Sequence, residues 1–263
     1  TLVRAAAKNY NDVTVITDAK YYKNLINELN SNKGFTSLDF RKEMSEIAFT
    51  ETAYYDSVIS NYFSINSKKI FKEKKIIYGK LLKELRYGEN PHQKAILYSK
   101  DNNIGLNQLN GKELSYNNYG DIFSSLLISK SLPKNVGTVI VKHSNPCGVS
   151  VNRDHKKSYN LALSSDPISA FGGVVCCNFK INLSIAKELY KSFYEVVIGN
   201  GIEKKALKIL KKRKNLRLID SSKLSKIYSE SISFNNSNFL VQNTDNLKLS
   251  LKNFKVVSKR KPN

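Results

Sequence analysis

The sequence of 263 residues has no tryptophan, one methionine and only three cysteines. Cys147 and the adjacent pair Cys176 and Cys177 make a poor disulfide framework, so reduced thiols and a cytosolic location are expected. No apolar run reaches the length of a membrane span, and the first residues lack the apolar segment of a signal peptide. We therefore expect a cytosolic protein without a membrane partner.

Acidic residues are also scarce, with 22 against 43 basic residues and a formal net charge of +21. Such a charge is typical of proteins that bind nucleic acid, membrane surfaces or phosphorylated metabolites. The lysines are spread along the whole chain and no RNA-binding signature is present, which favours a compositional bias. A basic nucleic-acid-binding protein is kept as the alternative function, and a folded but inactive fragment as a third hypothesis.

The remaining composition is that of a globular protein, with 41% hydrophobic residues. Near the start, Val13–Thr17 is predicted as a buried strand and Tyr21–Asn30 as a helix. Ser37 is a predicted N-cap of a long helix, and the charged stretch Lys68–Lys75 is a predicted linker. Apolar residues follow this cap at helical spacing and predict a packed face: Met44, Ile47, Ala48, Tyr55, Val58, Ile59 and Tyr62.

After the linker the pattern changes to alternating strands and helices, which predicts an α/β domain with a layered sheet. The predicted strands are Thr138–Lys142, Gly173–Asn178, Glu195–Ile198 and Leu216–Ile219. The predicted helices are Ile122–Leu132, Leu183–Phe193 and Glu203–Arg213. Turns are predicted at Asn145–Pro146 and Gly172–Gly173, and the polar segment Ser221–Asn246 is left unassigned.

Two segments resemble known site motifs but lack residues that those motifs require. The segment from Gly105 to Lys112 has the wrong glycine spacing for a phosphate loop, and Glu113 follows where Ser or Thr would hold magnesium. His143 and Cys147 resemble part of a zinc deaminase motif, but the glutamate and the second cysteine are missing. The sequence supplies no spaced ligand set, so no metal is expected.

Two segments in the first half of this domain concentrate functional side chains. In LRYGENPHQ, at Leu85–Gln93, Arg86 could grip a phosphate or carboxylate and Tyr87 could stack on a heterocycle. In LNGKELSYNN, at Leu109–Asn118, Asn118 could bind an amide or a ribose hydroxyl. Both segments are also compatible with ordinary surface loops.

Two further segments lie at predicted strand ends. VKHSNPCG, at Val141–Gly148, brings Lys142 and His143 to the end of a strand, where catalytic groups gather in α/β sheets. Histidine is suited to proton transfer, and a neighbouring lysine can stabilise a developing oxyanion. DPISAFGGVV, at Asp166–Val175, contains a Phe-Gly-Gly step that lets a flat ligand approach the backbone. A core histidine and a simple turn are the plainer interpretations.

In this order and spacing, the four segments resemble the AICAR transformylase/IMP cyclohydrolase family. VRAAAKN followed by VTVITD is similar to the end of its cyclohydrolase domain, and EIAFTETAYYDSVISNYF to that domain's last helical region. KVVSKRKP is similar to the stretch before the second half of the transformylase. The resemblance implies that residues 1–75 are the C-terminal part of the cyclohydrolase domain with its linker. Residues 76–263 would be the N-terminal half of the transformylase domain.

For the full-length protein, the resemblance implies two steps of de novo purine biosynthesis. Formyl transfer from 10-formyltetrahydrofolate to AICAR gives FAICAR, and cyclisation of FAICAR gives IMP. It also implies a cytidine-deaminase-like transformylase half without zinc, a cyclohydrolase domain similar to methylglyoxal synthase, and a homodimer. The rest of both domains would lie outside these 263 residues, so this stretch alone is not expected to suffice for activity.

The resemblance also assigns site residues. Lys142 and His143 match the family's catalytic pair for formyl transfer, and Lys8 matches a lysine of the cyclohydrolase site. The positions that match substrate-binding residues are Arg86, Tyr87, Asn118, Phe171, Gly172 and Glu195. One departure follows Glu195: the chain has Gly199-Asn200-Gly201 where the family pattern has Ala-Pro-Gly.

Overall fold

A computed structural model describes residues 2–65, 72–101, 103–224, 230–245, 255–257 and 259–260. Its helices are α1 (Leu2–Lys8), α2 (Tyr22–Ser31), α3 (Leu38–Ile65), α4 (Tyr116–Ser131), α5 (His155–Ser165), α6 (Leu183–Leu189) and α7 (Lys204–Leu210), with a 3-10 helix at Ala19–Tyr21. Its strands are β1 (Lys80–Leu85), β2 (Ala95–Ser99), β3 (Asn107–Asn110), β4 (Gly137–Lys142), β5 (Asn145–Val151), β6 (Val174–Cys177), β7 (Val196–Gly199), β8 (Arg217–Asp220), β9 (Glu230–Asn235) and β10 (Asn238–Asn243).

The chain divides into two compact units. The first comprises Thr1–Leu82 and Tyr98–Asn102, and the second comprises Lys83–Leu97 and Asn103–Asn263. The division therefore passes through the two-stranded sheet of β1 and β2. Residues 68–71 of the predicted linker lie outside the described part of the chain, and residues 72–75 form neither helix nor strand.

In the first unit, α1 packs on the long helix α3. Ala7 and Met44 are buried, and the Ser45 hydroxyl donates to the Ala7 carbonyl at 2.6 Å. The predicted N-cap is confirmed, because the Phe40 backbone N–H donates to the Ser37 hydroxyl oxygen at 3.3 Å. Helix α2 also confirms the helix predicted over Tyr21–Asn30.

One expectation for this unit is wrong, and a second is confirmed only in part. Val13–Thr17 is not a strand, because the described residues place no strand beside it to complete a hydrogen-bonding ladder. The predicted apolar face of α3 is packed at its start but exposed farther along, with Tyr55 66% and Tyr62 68% exposed. Helical spacing identifies a face of a helix but does not determine which turns of it have a packing partner.

The second unit contains a six-stranded mixed sheet in the order β3-β8-β7-β6-β4-β5. Strands β6, β7 and β8 run parallel, whereas β4 runs antiparallel to β6 and forms a hairpin with β5. Side chains of β4 alternate between the two faces: Val139 and Val141 join the cluster with α4, and Ile140 joins the cluster with α5, α6 and α7. The result is a three-layer α/β arrangement, as the alternating pattern predicted.

The four predicted strands and three predicted helices of this unit are present, with ends shifted by a few residues. The prediction of a turn at Asn145–Pro146 is wrong, because these residues open β5. The turn is at His143 and Ser144, where φ is 53° and 61°. Helix α5, with Asp154 as its N-cap, was not predicted. The unassigned segment Ser221–Asn246 includes the β9–β10 hairpin, while its residues 225–229 and 246 are outside the described part.

The strand directions determine which ends meet. Val141 pairs with Val174, and Val174 pairs with Val196, so the C-terminal end of β4 lies beside the N-terminal ends of β6 and β7. Arg217, at the start of β8, pairs with Val196. The edge that carries Lys142 is thus formed by the C-terminal ends of β3 and β4 and by the starts of β5, β6, β7 and β8.

All three cysteines are free thiols, and two of them are fully buried in β6. Burial raises the pKa of Cys176 from its ordinary 9.0 to about 11, and burial also raises the pKa of Cys177. For the partly buried Cys147 burial again raises the pKa, with Asp166 as a second cause.

We therefore expect slow alkylation of the β6 thiols in the folded protein. At pH 8 the raised pKa of Cys176 should reduce the reactive thiolate about a hundredfold, because each pKa unit is a factor of ten, and burial restricts access further. Mass spectrometry of iodoacetamide-treated protein, with and without urea, measures this. Equal labelling of Cys176 in both conditions would contradict the burial described here.

Candidate active site

Lys142 and His143 stand at the end of β4, as the sequence predicted. The Lys142 ammonium donates to the Phe171 carbonyl at 2.9 Å, which ties the strand end to the loop before β6. Lysine has three N–H donors, so two stay available for a ligand. His143 is exposed and occupies the first position of the hairpin turn. A cation and an imidazole therefore lie next to each other at an open edge of the sheet.

Phe171 and Gly172 form one wall beside this edge. The Phe171 ring is 62% exposed and its centroid lies 5.2 Å from that of Phe193. Gly172 has φ of 76°, a conformation that favours glycine, and its N–H donates to the Phe193 carbonyl at 2.9 Å. An exposed aromatic face beside a side-chain-free backbone suits a planar ligand.

Asn118 lies in the first turn of α4 and is almost fully buried. Its side-chain oxygen accepts the Ser115 backbone N–H at 3.2 Å, in a reciprocal capping box. Its side-chain NH₂ donates to Glu195 Oε2 at 2.9 Å. Both ends of the amide are engaged, so Asn118 orients Glu195 and has one N–H left for a ligand.

Glu195 precedes β7 and is held from two sides. Besides Asn118, the Arg217 guanidinium lies 3.7 Å from Glu195 Oε2, and Arg217 Nε donates to the Glu113 carbonyl at 3.1 Å. The Glu195 backbone N–H donates to the Gly173 carbonyl at 3.1 Å, which joins this residue to the Phe171–Gly172 loop. Half of the Glu195 side chain is exposed and can accept hydrogen bonds from a ligand.

Arg86 and Tyr87 follow β1 in a short loop. The Arg86 guanidinium lies 4.8 Å from the Tyr87 ring centroid and donates to its hydroxyl at 3.1 Å. The loop reaches α4 through Asn117, whose side-chain NH₂ donates to the Glu89 carbonyl at 3.4 Å. Arg86 is exposed, so its remaining donors can bind an anion.

The structure thus places eight of the nine predicted site residues in the second unit. Hydrogen bonds connect four of them, through the contacts Lys142–Phe171, Gly173–Glu195 and Glu195–Asn118, and His143 and Gly172 are chain neighbours of this set. Lys8 is exposed at the end of α1 in the first unit.

Four residues at this edge were not predicted. They are Asp121, Ser124, Phe193 and Arg217. None lies in the segments that the sequence singled out as functional, and their proximity arises from contacts between residues far apart in the chain. For Arg217, the only sequence signal is its position at the start of a predicted strand.

Within the described residues, no group of three or more His, Cys, Asp or Glu side chains is arranged to hold a metal ion. In the part of the chain that the structure describes, no helix is both long enough and apolar enough to span a bilayer.

The comparisons with known proteins agree with one another. A family model described as AICARFT/IMPCHase bienzyme matches residues 6–263. A bifunctional purine biosynthesis protein PurH of Bradyrhizobium diazoefficiens is 39% identical over 269 residues, which cover 99% of this chain and 51% of that protein. Proteins of the same name from Prochlorococcus marinus and Thermoanaerobacter sp. are 40% and 39% identical, with 99% of this chain covered. The chain spans about half the length of these relatives.

Proposed function

Since the chain belongs to the AICARFT/IMPCHase bienzyme family, we propose that the full-length protein catalyses two steps of purine biosynthesis. The first is formyl transfer from 10-formyltetrahydrofolate to AICAR, and the second is cyclisation of the product FAICAR to IMP. The observation that carries the first step is the Lys142–His143 pair, joined to Phe171 by a hydrogen bond and set beside the Asn118–Glu195 pair.

The chemistry of formyl transfer fits these side chains. The weakly nucleophilic amine of AICAR must lose a proton as it attacks the formyl carbon, and His143 accepts that proton. Lys142 stabilises the negative charge that develops on the formyl oxygen during transfer. The bond between the formyl carbon and N10 of the folate then breaks, and His143 returns the proton to N10, so that tetrahydrofolate leaves. Phe171 and Gly172 support the imidazole ring, while Asn118 and Glu195 hydrogen-bond its polar substituents.

Arg86 and Tyr87 bind the same nucleotide. Arg86 pairs with an anionic group, and Tyr87 contributes an aromatic face. Residues 76–263 would then be the first, cytidine-deaminase-like half of the transformylase domain. Residues 1–75 would be the end of a methylglyoxal-synthase-like cyclohydrolase domain with its linker, in which Lys8 acts in ring closure. The protein would be a cytosolic homodimer with AICAR, FAICAR, IMP and folate as its small-molecule partners.

The alternative of a basic nucleic-acid-binding protein finds no support among these relatives, whose names describe purine biosynthesis. The chain has 43 basic and 22 acidic residues, and this excess of positive charge is accounted for by lysines spread along the sequence.

The proposal is tested with the full-length protein in two separate assays. One assay follows formyl transfer to AICAR, and the other follows cyclisation of supplied FAICAR. Both activities are expected without added metal. Absence of both from a folded, dimeric preparation would contradict the proposal.

Arg86→Ala is expected to weaken AICAR binding by about 1.5–3 kcal/mol, the scale of a hydrogen bond to a charged group. Arg86→Lys should recover only part of the lost binding free energy, because an ammonium group cannot donate two parallel hydrogen bonds as a guanidinium does. Calorimetric titration of both variants with AICAR measures the difference. If the AICAR affinity of Arg86→Ala equals that of the wild type, Arg86 does not bind AICAR.

A further inference from the structure

The turn that presents His143 has an unusual backbone. Lys142 pairs with Asn145 across the β4–β5 hairpin, so His143 and Ser144 are its only two turn residues. Both have positive φ, as in the tight type I′ hairpin turn, where Asn and Gly are the preferred residues. Serine has little intrinsic preference for this conformation. Within the hairpin, the Asn145 side-chain NH₂ donates to the His143 carbonyl at 2.9 Å, and further contacts hold the turn from outside.

Helix α4 supplies these contacts from two successive turns. Asp121 Oδ1 accepts the Ser144 backbone N–H at 2.6 Å, and the Ser124 hydroxyl donates to the Ser144 carbonyl at 2.7 Å. Asp121 and Ser124 are three residues apart and so lie on one face of the helix. The backbone donor and acceptor of Ser144 are both bound to α4, which fixes the residue directly after His143.

We infer that Asp121 is a positioning residue for formyl transfer, which sets the direction of the His143 imidazole by anchoring the Ser144 backbone. This inference rests on the proposed function. Asp121 touches neither substrate nor reacting atoms in this role; it acts through the turn. Ser124 is a second, neutral anchor of the same residue, through the Ser144 carbonyl.

The geometry distinguishes this role from that of an ordinary solvated helix charge. Asp121 is half-buried, and its short hydrogen bond joins two elements that are 23 residues apart in the chain. A carboxylate that accepts a backbone N–H is a stronger anchor than a neutral acceptor. Burial is the largest cause of the raised pKa of Cys147 in β5, followed by the charge of Asp166. The charge of Asp121 raises this pKa further, by a smaller amount.

The test is a double-mutant cycle in the full-length protein. Asp121→Ala is expected to lower kcat for formyl transfer by about tenfold to a hundredfold, because a misplaced catalytic group loses rate on this scale. The KM for AICAR should change by less than about threefold. Asp121→Asn keeps an acceptor oxygen and should recover most of the rate. Ser131→Ala, at the far end of α4, is the control variant, and its kcat and KM for formyl transfer should equal those of the wild type.

The decisive measurement combines Asp121→Ala with His143→Ala. If Asp121 acts through His143, adding Asp121→Ala to the His143→Ala protein should cost less than about twofold. An equal loss in both backgrounds would show a general structural role and overturn the inference, as would an Asp121→Asn variant as slow as Asp121→Ala. FAICAR cyclisation, followed in every variant, should stay constant. A wild-type protein without any formyl transfer would instead overturn the proposed function and this inference together.

Discussion

His143→Ala should reduce turnover of formyl transfer by about 10²–10⁴-fold, the usual contribution of a positioned general acid or base. AICAR affinity should fall much less, because proton transfer matters mainly in the transition state. FAICAR cyclisation should survive, since that chemistry is assigned to the domain that contains Lys8. The measurement is both activities on the same purified variant, with its fold checked by circular dichroism.

A second variant is needed because His143 has a positive φ. His143 has φ of 53°, and alanine in this conformation is strained by about 1 kcal/mol or more. Asparagine adopts positive φ more readily, so His143→Asn removes the imidazole and keeps the turn. Both variants should lose turnover to a similar extent. Near-normal formyl transfer in either folded variant would leave His143 as a residue of the turn only.

Gly148→Ala should destabilise the second unit by about 3 kcal/mol or more, within the range of severe overpacking. Gly148 lies in β5 opposite Ile140, and a Cβ built on it would meet the Ala162 carbonyl oxygen of α5 at 1.8 Å. Backbone atoms occupy that space, so no side-chain rotation can relieve the clash. The urea midpoint for unfolding of this unit within the full-length protein should fall by about 1 M or more.

Val149→Ala is the matched control for this effect. It changes the next residue of the same strand, whose side chain is 38% exposed, and should cost well under half as much as Gly148→Ala. Equal midpoints for Gly148→Ala and the wild type would show that α5 does not pack against the β5 backbone as described.

Packing explains glycine at the first position of Gly199-Asn200-Gly201, a segment for which the resemblance predicts Ala-Pro-Gly. A Cβ at Gly199 would lie 2.8 Å from Ile181 Cδ1 and 2.9 Å from the Gly201 carbonyl oxygen. Alanine at the first position would therefore require Ile181 to move. Ile181 fills the space beside Gly199 at the end of β7, and Glu195 precedes the other end of the strand.

Local regularities in the sequence were sufficient to predict much of the second unit. The run Thr138–Lys142 is apolar enough to be a buried strand, and the helices that follow β6 and β7 show helical periodicity. The Ser37 cap was read correctly because capping depends on residues within one turn. Lys142 and His143 were predicted at a strand end because the apolar run stops there.

Sequence patterns failed where a distant partner determines the conformation. Asn145–Pro146 has the composition of a turn, yet the turn is at His143–Ser144, where Asp121 and Ser124 of α4 bind the backbone. Val13–Thr17 has the composition of a strand but no neighbouring strand among the described residues. Local propensity is weak compared with such long-range hydrogen bonds.

The sequence by itself determined the family, the α/β class and the identity of the candidate catalytic pair, because these depend on residue types and short spacings. Only the tertiary structure decided which strand ends meet and what surrounds that pair. The antiparallel direction of β4 brings Lys142 beside the starts of β6 and β7, and Asn118 reaches Glu195 across 77 residues of chain. Strand direction and such contacts depend on how whole elements pack and pair their backbone groups, which no short stretch of sequence encodes.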